Sequence, residues 1–167
     1  MGTTHSRLAY DFAKGKTSGR ASRMFVDEDT IYSYGYHWKI AQRIGIAEFL
    51  INPESRSIST SKHTHVVRVA CGTISKAVIY TAPDCKIEKI PEYYQKTIKE
   101  VTGKLLRARH PRYIGYYAQY ITELFEKWYK AAKRFDLSCP EIEKLKNPEA
   151  VSRKLLETSL KGNKYGK

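Results

Sequence analysis

Carboxylates are in short supply in this chain: 17 Asp and Glu stand against 30 Lys and Arg, a formal charge of +13. That balance argues against an acidic, cation-chelating surface and predicts attraction to polyanions. Cysteine is rarer still. Cys71, Cys85 and Cys139 are odd in number and widely spaced, so neither a disulfide framework nor a Cys-x-x-Cys zinc site is expected, and buried thiols in a reducing cytoplasm are. Long apolar runs are missing as well. None approaches the ~20 residues that a membrane-spanning helix needs. No apolar segment follows a basic start, so no secretory leader and no membrane partner are expected. A cytoplasmic location follows, the host cytoplasm if a phage encodes the protein. No His-Glu-x-x-His or comparable spacing occurs, and we expect neither a metal nor a cofactor.

What remains is a chain of 167 residues with 12% aromatic content, rich enough in rings and β-branched residues to bury a core. The charge is unevenly placed. Residues 91–134 carry 10 basic and 4 acidic residues, residues 24–90 carry 8 and 7, and residues 1–23 carry 5 and 1. The excess therefore sits in an N-terminal segment and in one later region. A localised field of this kind predicts a binding face.

Residues 1–22 mix Gly, Ser, Thr, Lys and Arg around the patch Leu8-Ala9-Tyr10-Phe12. They read as a flexible basic arm that pins itself by that patch. Gly15-Lys16-Thr17 lacks the leading glycine of a phosphate-binding loop, since Tyr10 stands there, and no strand precedes it. From residue 23 onward a single α+β domain is expected, with the sheet over 23–60 and helices over 61–160. Met24-Phe25-Val26, the acidic turn Asp27-Glu28-Asp29 and Thr30 to Tyr34 read as a hairpin. His37 to Ala41 and Glu48 to Asn52 are further strands. Pro53-Glu54-Ser55 is expected to turn the last of these into a strand over 56–60. The sheet is small and antiparallel, of about four or five strands.

Ser61 is placed to cap a helix carrying Val66, Val67, Ala70, Ile74, Ala77 and Val78. Two longer amphipathic helices follow. One spans 92–108, with Tyr94, Ile98, Val101 and Leu105 on one side and Lys96, Lys99, Lys104 and Arg107 on the remainder. The other spans 112–135, with Tyr113, Tyr117, Ile121, Leu124, Trp128, Ala131 and Phe135 on a stripe. Shorter helices near 140–145 and 148–160 precede a basic tail, Gly162 to Lys167.

Three groups of residues carry the chemistry. If Ser61 caps its helix, Lys62 and His63 sit beside free backbone N–H groups, an arrangement suited to a phosphate; an ordinary solvated cap accounts for Ser61 equally well. Arg107, Arg109 and Arg112 crowd the junction of the two long helices and offer forked donors that match phosphate. There are 13 tyrosines. Tyr32, Tyr34 and Tyr36 alternate, so on an extended strand they share a face. Tyr36 and Tyr116 are expected to be exposed for base stacking, whereas Tyr113, Tyr117 and Tyr120 lie close to the apolar stripe and belong to the core. As an alternative, His37 and His63 offer a metal-free acid–base pair with Lys62 steadying a phosphate; catalysis is the weaker reading, and we expect a non-enzymatic protein.

The run Thr30 to Ala41, containing Tyr32-Ser33-Tyr34-Gly35-Tyr36-His37-Trp38, together with Thr60-Ser61-Lys62-His63, resembles a small uncharacterised family found in phages and archaea. Lys39 stands where that family has proline. The resemblance covers residues 24–71 and implies a mobile-element origin without assigning an activity. The expected function is nucleic-acid binding, with RNA preferred over DNA because tyrosine is abundant and no helix-turn-helix spacing is evident. Alternatives are a defence antagonist of the anti-CRISPR kind, binding a host ribonucleoprotein complex, and a metal-independent ribonuclease.

Overall fold

The computed structural model describes residues 3–162; of the basic tail expected at 162–167, residues 163–167 lie outside the described residues. The chain folds as α+β and divides into two compact units, Met1–Ile90 and Pro91–Lys167. A single domain over 23–167 was expected, with residues 1–22 outside it. The first unit instead takes in those residues and ends where the long helices begin.

In the first unit, α1 (His5–Ala13) begins where Thr4 accepts a hydrogen bond from the Arg7 backbone N–H. It buries Leu8, Ala9, Phe12 and Ala13 on one stripe, so the expected arm is a folded helix. Its polar side is braced by Arg7 on Asp11, one turn apart, and by Lys16 on the same carboxylate. The chain then lays down β1 (Ser18–Ala21), β2 (Met24–Asp27), β3 (Thr30–Ser33), β4 (Lys39–Gly45) and β5 (Glu48–Ile51) as an antiparallel meander. A crossover through α2 (Ile58–Gly72) adds β6 (Val78–Thr81) parallel to β5. Parallel neighbours need such a crossover, and a helix supplies it. The six strands lie in sequence order.

One face of the sheet is dry. Met24, Val26, Ile31, Ile40, Phe49 and Ile51 meet Leu8 and Phe12 of α1 and Val67 and Cys71 of α2 in one core. Period-two alternation leaves Arg20, Phe25 and Tyr32 on the opposite face. Gly19 sits at φ +149°, and a Cβ there would meet Leu8 Cδ1 at 2.9 Å. The edge strand β1 therefore needs glycine so that α1 can pack against it.

Two expectations fail here for local reasons. The segment expected as a strand over 56–60 opens α2 instead. Ser57 is the N-cap, and it exchanges hydrogen bonds with Thr60 in a reciprocal capping box. That pairing outweighs the β-propensity of the segment, and Ser61 is an interior helical residue. The same helix stops at Gly72, short of Val78, which begins β6.

The second unit is helical: α3 (Ile90–Arg107), α4 (Pro111–Phe135), α5 (Pro140–Lys144) and α6 (Pro148–Gly162). His110 caps α4 by accepting from the Arg112 N–H, Pro111 takes the first helical position, and Asp136 closes the helix in the left-handed conformation. Ile114, Ile121, Leu124, Phe125, Trp128 and Ala131 form the buried stripe of α4, and Tyr94 of α3 lies 6.1 Å from Trp128 between ring centroids. No helix among the described residues is long and apolar enough to cross a membrane.

Candidate nucleic-acid interface

The helical unit carries most of the residues singled out by sequence. On α3, Tyr94, Ile98, Val101 and Leu105 are buried. At 100° per residue, Lys96, Lys99, Lys104 and Arg107 then fall within roughly 140° of circumference on the opposite side. All four are exposed, as are Arg109 in the short link and Arg112 in the first turn of α4. None of the six forms an ion pair among the described residues. Glu92 and Glu100 are the two carboxylates on that side of α3, both exposed, and neither forms an ion pair with these cations among the described residues. Cations left without carboxylates are free to meet an external anion, and their density raises the local potential.

Tyr116 is 60% exposed, as expected, and stacks with Tyr120 one turn on, at 6.1 Å and 29°. Tyr113 departs from expectation. It is 57% exposed, because the buried stripe of α4 runs through Ile114 rather than through its neighbour. Sequence reasoning passed over Lys127 and Lys130. Both are exposed, and the spacing 116, 120, 127, 130 repeats every three, four or seven residues, which aligns them with Tyr116 on one side of α4. That spacing was the available signal.

In the sheet unit the expected sites separate. Lys62 is exposed on α2, in its second turn and away from the capping residue Ser57. His63 is only 5% exposed. Its Nδ1 is 2.7 Å from Ser33 Oγ, and its ring lies 4.6 Å from His5 and 5.8 Å from Tyr34. Burial, with His5 as a second influence, pushes its pKa below the ordinary histidine value. His63 thus faces the interior and does not present a phosphate site at a helix N-terminus. His37 is exposed beyond β3, and His5 and Tyr34, not His37, are the rings against His63. Among the described residues no group of three His, Cys, Asp or Glu is placed to hold a metal ion.

The three alternating tyrosines do not share a strand face. β3 ends at Ser33, and Tyr34 takes a left-handed φ of 64° followed by Gly35 at φ 157°. That turn swings Tyr34 toward His63 and leaves Tyr36 beside Tyr32, 5.1 Å away. Tyr36 is 65% exposed, and its hydroxyl donates to Asp27, whose charge raises the phenol pKa. The Tyr34 oxygen accepts from Ser59 and Arg23, which lowers its own.

Comparison with known proteins finds no matching family, no similar curated protein and no similar solved structure.

Proposed function

We propose that this chain is a non-enzymatic nucleic-acid-binding protein, of phage or mobile-element origin, that engages the phosphate backbone through its helical unit. The observation that carries this reading is the set of unpaired cations Lys96, Lys99, Lys104, Arg107, Arg109 and Arg112 on α3, the link and the start of α4. A face of this kind gives sequence-independent affinity and positions the ligand. Exposed Tyr113 and Tyr116 beside those cations favour RNA over duplex DNA, because rings stack on unpaired bases. The resemblance of residues 24–71 to a phage and archaeal family supports the origin.

The test is the salt dependence of binding to labelled RNA and DNA by filter retention. Six phosphate contacts give a logarithmic slope of about −4 on single strands and about −5 on duplex DNA. Affinity that stays flat as salt rises refutes the proposal.

A further inference from the structure

The outer face of the β1–β4 half of the sheet has no part in the helical interface and is built differently. Strand register places Arg20 opposite Phe25, Phe25 opposite Tyr32, and Tyr32 opposite Lys39. These four side chains form one row across four strands, about 14 Å long at the usual strand spacing. The middle of the row is a stacked pair: Phe25 and Tyr32 are 5.1 Å apart and inclined by only 13°. Tyr36 stands over both rings edge-on, at 5.0 Å from Phe25 and 5.1 Å from Tyr32. Arg20 lies above Phe25 at 5.4 Å, and a shallow cavity of about 430 Å³ opens between Arg20, Arg23, Phe25 and Tyr36.

The charge on this face is of one sign at both ends. Arg20 and Lys39 form no ion pair among the described residues, and Arg23, whose guanidinium donates to the Tyr34 oxygen and lies 4.9 Å from that ring, forms none either. The nearby carboxylate of Asp27 is engaged by the Tyr36 hydroxyl. The turn that presents Tyr36 holds Tyr34 in a left-handed conformation, one that bulky residues seldom adopt. Rings at the centre with unpaired cations at the ends are complementary to a flexible anion with flat, unpaired bases. A duplex cannot use the rings, because its bases are stacked on one another, and a peptide has no regular anionic backbone for the cations.

We infer that this sheet face binds unpaired nucleobases of single-stranded nucleic acid, on the Phe25, Tyr32 and Tyr36 rings with Arg20, Arg23 and Lys39 on the flanking phosphates. The inference rests on the nucleic-acid reading above and adds the ligand form, a single strand, and a second contact surface. The row has room for about two or three bases, as on other sheets that stack them.

The experiment compares fluorescence anisotropy of the full chain with a labelled oligouridine, a labelled DNA duplex and inorganic polyphosphate. Two variants are used: Tyr36→Ala, at a turn residue, and Phe25→Leu, which keeps a strand-compatible side chain. Each is expected to weaken oligouridine binding roughly five- to 150-fold, the range for loss of one stacked base, and to leave duplex and polyphosphate binding unchanged. Arg107→Ala with Arg109→Ala and Arg112→Ala is expected to weaken all three alike. If Phe25→Leu fails to fold, Tyr36→Ala and photocrosslinking of 5-bromouridine RNA to the unmodified protein decide the matter. Adducts on peptides containing residues 24–36 support the site, and adducts confined to α3 and α4 overturn it. Equal losses for single strand and duplex, or unchanged single-strand affinity in a folded Tyr36→Ala variant, also overturn it and leave the backbone interface standing. A protein that binds none of the three anions overturns both.

Discussion

Ion-paired cations are found in the sheet unit, whereas the basic cluster of the helical unit has none among the described residues. In residues 1–90, Arg7 and Lys16 share Asp11, Arg43 holds Asp29, and Lys89 holds Asp84. Others in that unit lie over rings, such as Lys14 on Tyr10 and Arg56 on Trp38. In the helical unit, the six basic residues from Lys96 to Arg112 have no carboxylate partner. Charges of the first kind are engaged within the fold, and charges of the second kind are left for something outside the chain. Removing a paired cation such as Arg43 should therefore damage the fold, and removing cations from the set of six should damage the affinity.

The largest effect expected on affinity is in the helical unit. Arg107→Ala, Arg109→Ala and Arg112→Ala together should weaken binding to every nucleic acid by about a hundredfold, roughly 3 kcal/mol for three charged contacts. The salt slope should fall by about 3. Thermal denaturation should barely move, because exposed and unpaired arginines contribute little to the folded state. A triple variant that melts early would assign those side chains to the fold and erase the contrast.

Arg43 is the matching test in the sheet unit. Its Nη1 donates to the Phe12 carbonyl at 2.7 Å and its Nη2 to Asp29 Oδ1 at 2.6 Å. Its guanidinium also lies 5.4 Å from the Phe12 ring centroid. One side chain thus ties the end of α1 to the turn between β2 and β3. Arg43→Ala should lower stability by about 2 kcal/mol, discounting the exposed Asp29 end of the pair. Nucleic-acid affinity of the folded variant should not change. The reverse pattern in chemical denaturation and binding assays would break the comparison.

A smaller effect is expected from His63. Burial and the neighbouring His5 favour its neutral form, so its native pKa lies below the unfolded value of about 6.5. Between those two values the unfolded chain binds the proton and the native chain does not. Stability of the sheet unit should therefore be fully present above about pH 6.5 and be lost as pH falls toward the native pKa. Urea midpoints between pH 7.5 and 5.5 measure this, in a range where the carboxylates stay ionised. His63→Gln, which can still bond Ser33, should flatten the curve, and an unchanged curve would assign the proton to another group.

How far the sequence was legible depended on whether the deciding interaction was local. The stripe Ile121, Leu124, Trp128, Ala131 repeats at helical spacing, and α4 runs where that stripe predicts. The hairpin of β2 and β3 is marked by its acidic turn. β1 was missed because Ser18-Gly19-Arg20-Ala21 has poor strand propensity, and it pairs because α1 packs on it through Gly19. β6 was absorbed into a helical pattern, since Val78 continues the period of α2, which the structure ends at Gly72 with Thr73 as its cap before β6 pairs with β5. The basic residues of α3 were legible because a helix face can be counted along the chain. The row from Arg20 to Lys39 was not, because it depends on a register that shifts between Ile31 and Tyr32. A one-residue error there turns side chains to the other face.

The smallest effect, and the one that reads the two units separately, concerns their thiols. Cys71 and Cys85 are buried in residues 1–90, and burial pushes each pKa up to about 12. At pH 8 almost none of either is thiolate, the form that reacts. Cys139 is half-exposed in the helical unit. Iodoacetamide should therefore label Cys139 in the native protein within the time of mixing and handling. Cys71 and Cys85 should be labelled only as the sheet unit opens, so their rate measures that opening. Arg43→Ala should speed labelling of Cys71, which lies in the same core as Phe12. The triple arginine variant should leave it unchanged. Equal acceleration by both variants would mean that the two units open as one, and the separation of fold charges from binding charges would lose its physical basis.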